Sequence, residues 1–121
     1  MTKSIPRPDE ITSRFLEELD KHLQEIVSGQ TDIYYEIHDL AEILHIHPTH
    51  LSNTIKQTTG KSPCDICHEK TITVAKKLLE NTELTISEVA FKLTYEHTNF
   101  TKYFKKHTGK TPSAYRKSRT V

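Results

Sequence analysis

The two cysteines of the chain lie in Ser62-Pro63-Cys64-Asp65-Ile66-Cys67-His68, a C-x-x-C-H pattern. That spacing is the attachment site of a c-type haem, and the cysteine pair alone is half of a zinc site or a redox dithiol. Haem attachment requires export, an oxidising compartment and usually a distal ligand such as Met. The only Met is Met1, and two prolines and charges follow in place of a secretory leader. Zinc requires two more ligands, for which His45, His47 and His50 are the candidates; they read instead as residues of a turn and a helix start. A thiol at a helix N-terminus has a lowered pKa, but no thioredoxin-like strand pattern accompanies this pair. Cys67 falls where its helix needs an apolar residue, a place a free Cys fills as a small hydrophobe. Lys61 and Lys110 follow no Gly-rich phosphate loop, and no Ser/His/Asp constellation is readable. The expectation is a protein that is not an enzyme and has no metal and no cofactor. Cys64 is left without a role.

Those residues must be positioned by helices. The chain has 121 residues, with three Gly, no Trp and 27% charged side chains, the usage of a single, strongly helical domain or two small lobes. No apolar run approaches a membrane span. Ile11, Phe15, Leu19, Leu23 and Ile26 recur at helical spacing until Ser28-Gly29, predicting one acidic amphipathic helix over about 9–28. The stretch 37–63 then repeats at 86–112 with a constant shift of 49 and no gap. Ile37, Ala41, Leu44, Thr49, Lys56, Thr59, Gly60, Lys61 and Pro63 return as Ile86, Ala90, Leu93, Thr98, Lys105, Thr108, Gly109, Lys110 and Pro112. Leu40, Leu51 and Ile55 become Val89, Phe100 and Phe104, so both copies keep the same apolar positions.

Each copy reads as helix, short polar turn, helix. Thr85-Ile-Ser-Glu88 is a capping box, Gly60 and Gly109 are natural C-caps, and Ser62-Pro63 and Thr111-Pro112 open the next helix. The helix from Pro63 should run to about Asn81 with Ile66, Cys67, Val74, Ala75, Leu78 and Leu79 inward. The expected fold is all-α: about seven helices, two helix-turn-helix subdomains joined by a long connector helix. The expected segments are 1–30 (N-terminal helix), 31–63 (first helix-turn-helix), 64–82 (connector) and 83–121 (second helix-turn-helix and final helix).

With Leu51 and Ile55 inward, Thr49, Asn53, Lys56 and Gln57 face outward, with Ser52 on the flank. The matching set in the second copy is Thr98, Lys102, Lys105 and Lys106, flanked by Thr101. Hydroxyls, an amide and lysines can bond base edges and phosphates; they are also ordinary surface residues. Charge is divided as well. Residues 1–50 carry four basic against ten acidic side chains and residues 51–121 thirteen against six, with no acid after Glu96. That asymmetry suits a polyanion partner for the C-terminal half, although a solvated helix face has the same composition. Tyr95, Tyr103 and Tyr115 suit packing, and Tyr103 could equally read bases.

The stretch 86–116, Ile-Ser-Glu-Val-Ala through Gly109-Lys-Thr-Pro112-Ser-Ala-Tyr115-Arg116, resembles the signature of the AraC/XylS family of bacterial transcription regulators. Residues 39–63 resemble its first helix-turn-helix, so the likeness covers roughly 35–118. It implies a seven-helix DNA-binding domain with recognition helices near 48–58 and 98–107. Carried over by position, it implies base contacts from Thr49, Ser52, Asn53, Thr98, Thr101 and Lys102. Backbone contacts are implied from Lys56, Lys105 and Lys106, joined by Lys61 and Lys110 beside the two glycines. The implied function is sequence-specific regulation of transcription in the cytoplasm, associated with the nucleoid when bound to double-stranded DNA. RNA polymerase and a separate sensor domain or protein are the implied further partners. The chain departs from the family at His45 and Thr94, where glycine often stands in the turn, and at Thr71, where the connector often has arginine. The beginning at Met1 fits a stand-alone regulator and an excised domain alike. A different reading gives the acidic N-terminal helix to dimerisation or protein docking, or simply to covering the first helix-turn-helix.

Overall fold

A computed structural model describes residues 7–119. Among them are seven helices: α1 (Pro8–Val27), α2 (Ile37–Ile43), α3 (Pro48–Thr59), α4 (Pro63–Glu80), α5 (Ile86–Lys92), α6 (His97–Thr108) and α7 (Pro112–Arg119). The chain divides into two compact units, Met1–His22 with Tyr34–Cys67 and Leu23–Ile33 with His68–Val121, so α1 and α4 each contribute to both.

In the first unit the apolar face of α1 is spent on its own fold, with Ile11, Phe15 and Leu19 each at most 4% exposed. Two polar contacts fix the helix. The Thr58 hydroxyl donates to the Thr54 carbonyl (3.0 Å), so the Thr12 hydroxyl donates the 2.6 Å bond that joins it to Thr58. Buried His22 accepts the Tyr35 amide proton on Nε2 (3.0 Å) and stacks on the Tyr35 ring at 3.9 Å. Leu40, Ala41 and Leu44 of the α2 end and Leu51 and Ile55 of α3 complete the buried set.

The second unit repeats the arrangement around larger side chains. Val89, Ala90, Leu93, Phe100 and Phe104 form one cluster with Ile72, Ala75 and Leu79 of α4. Of the connector positions read as inward, Ile66, Ala75 and Leu79 are buried, and Cys67, Val74 and Leu78 are half-buried. Ile72 and Thr71 are buried as well, so the connector's inner face is broader than a single helical stripe. Arg116 closes the unit: its Nε donates to the Leu79 carbonyl (2.8 Å) and its terminal nitrogen to that of Asn81 (3.2 Å). A guanidinium thus satisfies carbonyls left open where α4 ends. Tyr115 donates to Glu80 at 2.6 Å beside it.

The duplication extends to single hydrogen bonds. After α2, the His45 amide donates to Glu42 and the Ile46 amide to Ala41; after α5, Thr94 donates to Phe91 and Tyr95 to Ala90. Both are the paired closure of a helix that ends on a left-handed residue. His45 and Thr94 are the two non-glycine residues with positive φ, 58° and 64°. The left-handed turn conformation is therefore adopted here without a glycine. At the far end, Gly60 and Gly109 are left-handed at 77° and 82°. There the Thr59 hydroxyl donates to the Ile55 carbonyl and accepts the Lys61 amide proton, as the Thr108 hydroxyl donates to the Phe104 carbonyl and accepts that of Lys110.

A β-branched residue is poorly suited to the left-handed region, which costs an L-residue about 1–2 kcal/mol. Glycine removes that strain but loses about 0.5–1 kcal/mol of backbone entropy. Thr94→Gly should therefore raise stability by about 0.5–1 kcal/mol, read as a higher midpoint in urea at an unchanged slope.

Candidate nucleic-acid interface

Each second helix is started by a defined cap and ended by a glycine, so the length of its outer face is fixed. The two turns are equal, four residues each (44–47 and 93–96). Their caps differ. His47 caps α3 with its ring, Nδ1 accepting the Thr49 amide proton at 3.2 Å. Glu96 caps α6 without a side-chain bond. There His97 takes over: its Nδ1 pairs with the Ser87 hydroxyl at 2.7 Å, clasping α6 to α5.

On α3, Thr49, Asn53, Lys56 and Gln57 are exposed and Ser52 is half-buried, opposite the fully buried Leu51 and Ile55. On α6, Thr98, Lys102, Lys105 and Lys106 are exposed and Thr101 is half-buried, opposite Phe100 and Phe104. The Thr101 hydroxyl donates to the His97 carbonyl at 3.0 Å, so toward a ligand it offers lone pairs alone. Lys61 and Lys110 are exposed just past the glycine caps, each amide bonded to the preceding threonine hydroxyl. The structure thus brings Thr49, Ser52, Asn53 and Lys56 onto one helix and Thr98, Thr101, Lys102, Lys105 and Lys106 onto another.

Other residues depart from the sequence reading. His50 and Asn99, related by the 49-residue shift, are also exposed in the first turn of these helices; periodicity shows an outer face but not how wide it is. Tyr103 is a packing residue. Its hydroxyl pairs with His68 Nδ1 at 2.8 Å, and its ring stacks on Tyr95 at 5.1 Å. His68 is exposed, and it also stacks on His107 at 4.7 Å. Two C-terminal cations have partners within the chain: Arg116 caps α4, and exposed Arg119 lies 3.8 Å from Glu80.

Neither cysteine is in a disulfide; Cys64 is exposed and Cys67 half-buried. Burial, with the neighbouring Cys64, pushes the Cys67 thiol up to about 11. It is protonated at neutral pH and is a poor nucleophile, which opposes an activated redox pair. Among the described residues no group of three or more His, Cys, Asp or Glu side chains is placed to hold a metal ion. None of the helices described is long and apolar enough to cross a membrane.

The model of a helix-turn-helix domain family matches residues 40–118. The chain belongs to the AraC-type helix-turn-helix family. It is 37% identical over 81 residues to the uncharacterized HTH-type transcriptional regulator YobQ of Bacillus subtilis, a match covering 66% of this chain and 34% of that protein. It is 33% identical over 101 residues to YisR of the same organism, another uncharacterized HTH-type regulator, covering 83% and 34%. The chain thus spans about a third of the length of these relatives. Its fold matches the C-terminal domain of AraT, a response regulator from Geobacillus stearothermophilus, with a TM-score of 0.79 and 30% identity over 98% of this chain and 91% of that one. It also matches the DNA-binding domain of AdpA, solved in complex with a target DNA, with a TM-score of 0.63 and 21% identity over 79% and 90%. Family and fold are those of a DNA-binding domain of transcription regulators, not of an enzyme.

The stacked pair of His68 on α4 and His107 on α6 has a measurable consequence. Desolvation first, then the His68 and Lys106 charges, hold the His107 imidazole below its ordinary 6.5. The unfolded chain therefore takes up the proton first. This contribution to stability is present above pH 6.5 and is lost as pH falls through the lower folded value. The thermal midpoint should drop between pH 7 and 5, and His107→Asn should flatten that part of the profile.

Proposed function

We propose that the protein regulates transcription by binding a specific DNA sequence with α3 and α6, each inserted into a major groove. What carries this reading is the repeat itself. Two helices with matched turns, ends and buried faces present polar residues at the same offsets, and no demand of the core requires that coincidence. Thr49, Ser52, Asn53, Thr98, Thr101 and Lys102 are proposed to read base edges, by hydrogen bonds worth about 1–3 kcal/mol for each good bidentate pair. Lys56, Lys61, Lys105, Lys106 and Lys110 are proposed to hold phosphates, which sets affinity and register without reading sequence. Successive major grooves on one face of DNA lie about 34 Å apart. Bending of the duplex is expected to let both helices engage at once.

In this role the chain works in the cytoplasm, on the nucleoid, together with RNA polymerase and a sensor domain or protein. A dimerisation module built on α1 is disfavoured, because Ile11, Phe15, Leu19, Leu23 and Ile26 are all buried within the chain.

Asn53→Ala and Lys102→Ala should each abolish preference for the operator while leaving the circular dichroism and melting of the free protein unchanged. Lys106→Ala should weaken binding to all sequences alike and reduce the salt dependence by about one phosphate contact. Selection from a random DNA pool should return two half-sites about 10–10.5 base pairs apart. Normal operator binding by both reading-face variants, or recovery of a lone half-site, would overturn the assignment.

A further inference from the structure

The repeat provides an internal comparison for surface residues, and at one exposed position a large apolar side chain replaces a charge. Phe91 on α5 is 81% exposed, and 49 residues earlier its counterpart is Glu42. The first copy therefore folds with a carboxylate where the second holds a phenyl ring in water. The neighbouring pair is exchanged in the opposite sense, Ile43 against Lys92, but Ile43 is only 39% exposed. Packing does not account for Phe91.

Phe91 stands on the edge of an open groove of about 950 Å³ within the second unit, between the end of α1 with its following loop and the α5 turn. Val27 and Tyr95, both half-buried, supply further apolar wall. Ionisable side chains along the groove are Asp32, Glu88 and Glu96 against the single cation Lys92. Glu88 is locked in its ionised form by the Thr85 amide and hydroxyl, which hold its carboxyl below the usual range. Acids are thus gathered here in a unit that carries none from residue 97 onward. Such a rim repels phosphates, so the groove does not serve the nucleic acid.

We infer that this groove docks a short amphipathic helix of a partner protein, one that lays an apolar side against Phe91, Val27 and Tyr95 and carries Lys or Arg toward Asp32 and Glu96. A helix is about 10–12 Å across and seats itself in such a groove through apolar anchors at i, i+3 or i+4 and i+7. The groove is large enough for several anchors, since single ligand sites span about 300–1,000 Å³. The acids give specificity and orientation, and the exposed ring gives affinity.

The test is selection of displayed 16-residue peptides on the intact chain, with the enriched peptide then synthesised and titrated by fluorescence anisotropy. Enrichment should favour peptides with apolar residues at helical spacing beside Lys or Arg. Their affinity should fall about tenfold or more for Phe91→Ser, and should also fall for Asp32→Lys with Glu96→Lys and with added salt. Because Phe91 is so exposed, Phe91→Ser should melt as the parent does, which separates lost docking from lost folding. Four results would overturn the inference: no enriched peptide, enrichment of acidic peptides, equal binding to Phe91→Ser, or Phe91-dependent self-association in sedimentation. The last would make a second copy of this chain the occupant.

Discussion

The closing bonds of the two four-residue turns set everything that follows them. In each, one left-handed residue lets the chain reverse, and the amide after it returns to an alanine carbonyl, Ala41 in one copy and Ala90 in the other. Those alanines are at most 1% exposed, and a larger side chain there would push the next helix outward. The direction in which α3 and α6 leave their turns, and hence which residues look out, depends on this one closure. That His45 and Thr94 accept a conformation normally given to glycine shows how firmly the surroundings impose it.

The helices were legible because their signals agree at several levels. The apolar spacing of α1, the capping box at Thr85 and Glu88, the paired glycines and the Ser-Pro and Thr-Pro starts each mark one boundary, and α1 and α4 came within a residue of their expected ends. The outer faces of α3 and α6 followed from the buried positions opposite them. What escaped was side-chain partnering across the fold. Nothing in the spacing of His68 or Arg116 shows that one pairs with Tyr103 and the other ends α4, since both contacts span 35 residues or more. Nor does its spacing show that His97 is the clasp to Ser87. The C-x-x-C-H pattern shows the opposite hazard: five residues matched a cofactor motif while Ser62, Pro63 and Asp65 were starting a helix, the Asp65 amide bonded to the Ser62 hydroxyl at 3.1 Å.

Charge needed the structure most. A net charge of +1 conceals an acidic half and a basic half, yet a count of basic residues overstates what is available to a polyanion. Arg116 is committed to the end of α4, whereas the lysines of α6 stand in solvent. The guanidinium suits carbonyl capping through its fixed fork of donors, and the ammonium suits a phosphate surface as a hydrated point charge. In this chain a guanidinium, that of Arg116, does the capping, and the α6 ammonium groups stay exposed.

The bonds that repeat at 49 residues belong to turns, caps and helix ends, and the residues that break the repeat lie on the outer faces. Ser52 and Asn53 stand where the second copy has Thr101 and Lys102. A frame held by backbone and hydroxyl bonds leaves those faces free to diverge separately. Two unlike faces on one polypeptide have no reason to match an inverted repeat, as two identical subunits do. Under the proposed reading, the sequence they match would run in one direction, and a protein bound to it would have a front and a back along the duplex.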